Sequence, residues 1–103
     1  MDNMLTKLGT NKGLERSRVW IEGKRLSNAG FVRGALYMRE TTPDYIRLTI
    51  ANPAETDERL FKVSGKSDHP IIDITGKKIA EQFGDCSHVQ VWFEQDRITI
   101  ASP

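Results

Sequence analysis

The chain predicts a mainly β, α+β fold in which two ββαββ repeats and two short helices share one core. Three observations carry this. The first is internal self-similarity, the signature of a repeated structural unit. Val19-Trp20-Ile21-Glu22-Gly23-Lys24-Arg25-Leu26 and Ile72-Asp73-Ile74-Thr75-Gly76-Lys77-Lys78-Ile79 share one pattern at a shift of 53 residues. It runs apolar, any, apolar, polar, Gly, basic, basic, apolar. The second is the alternation of apolar and polar residues, the period of a half-buried strand. The third is length: 103 residues make one domain, and a lone repeat is too short to bury a core of its own.

The elements follow in order. Repeat one spans 4–51, a linker 52–58, and repeat two 59–101. Each opens with a short strand ending near Leu8 or Val63, where Thr6-Lys7-Leu8-Gly9 resembles Phe61-Lys62-Val63-Ser64. Polar loops follow at Gly9–Ser17 and Ser64–His69. The next strands, Arg18–Glu22 and Ile71–Thr75, alternate and stop at Gly23 and Gly76. Short helices come next at Lys24–Ala29 and Lys77–Phe83, each ended by glycine, Gly30 or Gly84, in the left-handed position past a helix. Two strands close each repeat. The shift of 53 sets Leu36 and Met38 on Val89 and Val91, so Tyr37 and Arg39 are expected to point outward. A shift of 50 then sets Arg47-Leu48-Thr49-Ile50-Ala51 on Arg97-Ile98-Thr99-Ile100-Ala101. The change of shift implies a turn about three residues longer in repeat one, around Thr41-Thr42-Pro43-Asp44. Asn52-Pro53-Ala54-Glu55-Thr56-Asp57-Glu58 has no periodicity and reads as the linker. The expected core is Val19, Ile21, Leu26, Leu36, Met38, Leu48 and Ile50 with Ile72, Ile74, Ile79, Val89, Val91, Ile98 and Ile100. With both halves on one chain, a monomer is expected to hold the complete core.

Composition narrows the function classes. Charged residues are 28% and hydrophobic ones 38%, an ordinary globular balance. No apolar run approaches the roughly 18 residues of a membrane span, and Met1 to Leu8 is not a secretory signal. A cytoplasmic protein is the simplest expectation. The net charge is +1, yet it is unevenly spread. Residues 1–51 carry nine Lys or Arg against five acids, and residues 52–103 carry six against nine. Two faces with different partners, or drift in solvent-facing charge, would each give this split.

The string Arg18-Val19-Trp20-Ile21-Glu22-Gly23-Lys24-Arg25-Leu26-Ser27-Asn28-Ala29-Gly30-Phe31-Val32-Arg33-Gly34-Ala35 resembles the core of SymE-type members of the AbrB/SpoVT superfamily. The likeness covers about residues 18–50. Repeat two keeps Gly76 and the strands but has Phe83-Gly84-Asp85 where the family carries Ala-Gly-Phe. The resemblance implies a swapped-hairpin β-barrel, here from one chain. It also implies DNA binding, as a bacterial or phage regulator or as part of a toxin–antitoxin or DNA-modification system. Leu8-Gly9-Thr10-Asn11-Lys12-Gly13 is also similar to the region preceding the catalytic domain of some phage-type DNA cytosine methyltransferases.

No enzyme constellation is legible, and no cofactor or metal is expected. Cys86 follows Asp85 and lacks the proline of a methyltransferase nucleophile. His69 and His88 have no spaced ligand partners. Gly9-Thr10-Asn11-Lys12-Gly13 lacks the spacing of a phosphate loop. The resemblance places DNA contacts on Lys12, Arg16, Arg18, Lys24 and Arg25 of repeat one and on Lys66, Lys77 and Lys78 of repeat two. Eight cations along one face would bind duplex DNA despite the low net charge, because counterion release depends on local contacts. The bland alternative is that Lys24-Arg25 and Lys77-Lys78 are solvated helix faces, and Asp68 and Asp73 lie beside the repeat-two cations. A protein-interaction module without DNA affinity, such as a phage-encoded inhibitor or a toxin-like partner engaging the acidic second repeat, is the rival reading. Trp20 and Trp92 oppose the aliphatic positions of their strands. They therefore lie on outer faces, either beneath the helices or at a protein interface.

Overall fold

The computed structural model describes residues 2–103. Repeat one forms β1 (Asp2–Lys7), β2 (Gly9–Asn11), β3 (Leu14–Glu22), α1 (Lys24–Asn28), β4 (Leu36–Thr41) and β5 (Tyr45–Ile50). Repeat two forms β6 (Phe61–Lys62), β7 (Ser64–Lys66), β8 (His69–Thr75), α2 (Lys77–Phe83), β9 (His88–Glu94) and β10 (Arg97–Ala101). The linker holds a single 3-10 turn at Pro53–Glu55, started by Asn52, whose side chain accepts from the Ala54 N–H. The two segments expected as polar loops are instead tight hairpins, β2–β3 and β7–β8. Polarity misled there because the outer hairpin strands, β2 and β7, are short and mostly polar, so no apolar alternation marks them.

One sheet has six strands in the order β1-β9-β10-β5-β4-β6, the other four in the order β2-β3-β8-β7. Exchanging each strand for its counterpart in the other repeat leaves both orders unchanged, as a pseudo-twofold axis requires. The first strand of each repeat pairs with the other repeat: β1 with β9, and β6 with β4. The chain then crosses to the second sheet at a single buried residue, Leu8 or Val63. An antiparallel pair on a twofold must place one residue opposite its own equivalent. Trp20 faces Asp73, 53 positions on, and Leu48 faces Ile98, 50 positions on. The internal repeat thus specifies the register of both central strand pairs. The strands form two open sheets, edged by β1 and β6 and by β2 and β7, rather than the closed barrel that the resemblance implies.

Eleven of the fourteen expected core residues are buried; Leu36, Met38 and Ile50 are only partly so. The error lies in β4, whose buried residue is Tyr37. Tyr37 pairs with Ile50, and Val91 pairs with Ile100. The true shift in this strand is therefore 54, and Tyr37 is the counterpart of Val91. A slip of one residue sends every side chain of a strand to the opposite face. The cause is the turn. Six residues separate the pair Glu40–Arg47, but two separate Glu94–Arg97, so the insertion is four residues, not three. The Tyr37 ring stacks on Phe61 at 5.8 Å and tilts onto Phe31 at 5.9 Å. Leu8, Ala29, Phe31, Ile46, Val63, Phe83 and Phe93 complete the core.

The helix ends differ between repeats. Gly30 follows α1 with φ 94°, the left-handed position expected of it. Gly84 has φ −60° and stays right-handed, so α2 does not end in that motif. Its carbonyl is instead satisfied from outside, by Arg16 of repeat one.

Candidate nucleic-acid interface

The strand order sorts the eight candidate cations into two groups at opposite ends of the four-stranded sheet. β3 and β8 are antiparallel, so the start of β3 lies beside the end of β8. One end gathers Lys12, Arg16 and Arg18 from repeat one with Lys77 and Lys78 from repeat two. The other gathers Lys66 from repeat two with Lys24 and Arg25 from repeat one. A single row of eight cations does not form, because the pseudo-twofold turns the second set to face the other way.

The first end is tied together at two points. The Gly76 N–H donates to the Ser17 carbonyl at 3.0 Å, seating the start of α2 beside β3. The Arg16 guanidinium donates through Nη1 to the Gly84 carbonyl at 2.7 Å, seating the end of α2 on the same hairpin. Arg16 and Lys12 both have positive φ, 55° and 51°, which bends the hairpin tip. Buried Ser17 supports the bend: its hydroxyl accepts from the Asn11 N–H at 3.0 Å and donates to the Leu14 carbonyl. Lys12, Lys77 and Lys78 are exposed and, among the described residues, make no salt bridge. Glu15 and Glu81 are the acids on the same hairpin and helix, and Asp85 follows the helix.

Besides Arg16, which the Gly84 carbonyl engages, two of the expected contacts are already paired with carboxylates. Arg18 donates through Nε and Nη2 to both oxygens of Asp73, each at 3.0 Å, and its guanidinium lies 5.4 Å from the Trp20 ring centroid. Arg25 reaches Asp2 at 3.3 Å and the Met4 sulfur at 3.6 Å. The Arg18–Asp73 pair was legible in principle: the axis sets Asp73 opposite Trp20, one row from Arg18.

Around that pair lies the outer face of the four-stranded sheet. Trp20 is 38% exposed there, so it does not pack beneath a helix. Its indole N–H donates to Glu22 Oε2 at 2.8 Å, and His69 Nε2 approaches the same oxygen at 3.2 Å. These two partners, the indole first, hold the Glu22 carboxyl below its ordinary pKa. Trp92 is half-buried on the outer face of the other sheet, between Asn3 and Thr99 of its neighbours.

Family models, curated proteins and solved structures yield no match to this chain. Among the described residues no group of His, Cys, Asp and Glu is placed to hold a metal ion, and no helix is long and apolar enough to cross a membrane. Cys86 is a half-buried free thiol after α2, and the hydroxyl of Ser87 meets the ring of His88 at 2.8 Å.

Proposed function

We propose that the chain is a duplex-DNA-binding module of AbrB/SymE type, acting as a bacterial or phage regulator or as the DNA-engaging part of a modification system. The observation that supports this reading is the junction at Arg16. It brings the β2–β3 tip of one repeat against α2 of the other, so that Lys12, Arg16, Lys77 and Lys78 share one end of a sheet. A two-stranded tip beside a basic helix suits a DNA groove and its flanking phosphates. Arg18 contributes less than its position in the string implies, since Asp73 neutralises it. Titration against a duplex at two salt concentrations tests the reading. Affinity should fall steeply with salt, by about 0.9 log units per log unit of salt for each phosphate neutralised. Combining Arg16→Ala, Lys77→Ala and Lys78→Ala should flatten that slope, whereas Arg18→Ala alone should leave it nearly unchanged. No binding at low salt overturns the proposal.

A second reading draws on the Trp20 face. An exposed tryptophan ringed by the charge-balanced set Arg18, Asp73, Glu22 and His69 has the composition of a protein-binding hot spot with a polar rim. In that reading the chain is a protein-interaction module, an inhibitor or toxin-like partner. Trp20→Ala would then abolish partner binding and leave DNA affinity unchanged.

A further inference from the structure

The two points where the chain crosses between sheets each form a crevice. At the first crossing, Lys7, Leu8, Thr10, Glu15, Arg16 and Ser87 line about 280 Å³. At the second, Arg33, Gly34, Lys62, Val63, Ser64 and Gly65 line a cleft of about 560 Å³. The two are counterparts: Lys7 precedes buried Leu8 as Lys62 precedes buried Val63. A backbone hydrogen bond pins each crossing, Leu8 N–H to the Ser87 carbonyl at 2.9 Å and Val63 N–H to the Ala35 carbonyl at 2.9 Å. Each holds one lysine and one arginine. They differ in size and in acid content, because Glu15 lines the first while none of the six residues lining the second is acidic.

We infer that the second cleft is a binding site for a phosphate group, held between Arg33 and Lys62. Both side chains are exposed, and among the described residues neither makes a salt bridge. Arginine supplies a planar fork of donors and lysine a compact charge, the complementary pair for a tetrahedral oxyanion. The floor is backbone and small side chains. The Ser64 hydroxyl is committed to the Ile71 carbonyl at 3.1 Å, so it leaves the cleft to the cations. β7 is an edge strand, paired on one side only. Gly65 is required by the β7–β8 hairpin, since a β-carbon there would collide with the His69 carbonyl. The ligand chemistry is a phosphoryl oxygen set, supplied either by a free phosphate or phosphomonoester or by the phosphodiester backbone of a nucleic acid. The site uses none of the residues assigned to the Arg16 end and does not depend on the DNA reading.

The test is a titration of the intact chain followed by amide NMR, with inorganic phosphate in one arm and a short duplex oligonucleotide in the other. Saturable shifts at Gly34 and Gly65 support the site; in the phosphate arm they should be absent at Thr10 and Ser87, whereas in the duplex arm shifts at those two residues report the Arg16 end instead. Response to inorganic phosphate alone identifies a free phosphate ligand, and response to the duplex alone identifies the phosphodiester backbone. Arg33→Ala with Lys62→Ala should weaken the response at least tenfold while circular dichroism stays unchanged. The Arg16, Lys77 and Lys78 variant should retain it, which separates failure of this site from failure of the DNA proposal. Absence of shifts in both arms, or shifts spread equally over all exposed cations, overturns the inference.

Discussion

Tyr37→Ala tests the register of β4 most directly. Tyr37 is 5% exposed and contacts two rings, Phe31 and Phe61. Removing a buried aromatic side chain costs about 3–5 kcal/mol, of which the two ring pairs account for about 0.5–1.5 each. Met38, one residue on, is only partly buried, and Met38→Ala should cost about 1 kcal/mol or less because solvent or neighbouring side chains fill its place. For a domain of this length each kcal/mol moves the melting temperature by about 4–8 °C. Tyr37→Ala should therefore melt at least about 12 °C below the parent, and Met38→Ala within about 8 °C of it. Urea unfolding followed by circular dichroism gives both free energies, and Tyr37→Phe, which keeps the ring, should stay within about 1 kcal/mol of the parent. Equal losses for Tyr37→Ala and Met38→Ala, or a larger loss for Met38→Ala, would refute the assigned faces.

Three further outcomes are expected. A double-mutant cycle on Arg18 and Asp73 should give a coupling of about 0.3–1 kcal/mol, because the pair is bidentate but partly exposed and screened by salt; a null coupling in low salt would refute it. The melting temperature should not depend on protein concentration, since both halves of each sheet belong to one chain; a rise on concentrating the sample would point to assembly. Trp20 emission, read in a Trp92→Phe background, should titrate with a midpoint below the ordinary 4.5 of a glutamate. The sign follows from linkage: a depressed carboxyl pKa adds stability above the unfolded value, which is lost as pH falls through the folded one. Glu22→Gln should abolish that transition.

The repeat made much of the fold legible. Its shifts of 53 and 50 contain the Trp20–Asp73 and Leu48–Ile98 pairings, although reading them out requires the twofold. β4 was misread because Leu36 and Met38 resemble Val89 and Val91 more than Tyr37 resembles Val91. Side-chain chemistry outweighed turn length, and turn length decides register. The hairpins at 9–17 and 64–69 escaped notice because their outer strands are short and built of polar residues and glycine, which carry no apolar alternation. At the candidate site, the identities of the cations were visible but not their grouping. That depends on which end of β3 meets which end of β8. The Arg33–Lys62 cleft proposed above has no sequence signal, since 29 residues separate the two and the β4–β6 pairing brings their segments together.

The exchange of first strands also governs when the chain can fold. β1 is synthesised well before its partner β9, since Asp2 pairs with Phe93. Synthesis at about 5–20 residues per second leaves β1 unpaired for several seconds. No nascent chain short of β9 can complete the six-stranded sheet, however long it pauses. Leu5 on β1 stays solvent-facing even after pairing, and Lys7 and Asp2 flank it. Charge at both ends of a waiting strand discourages it from finding another chain first.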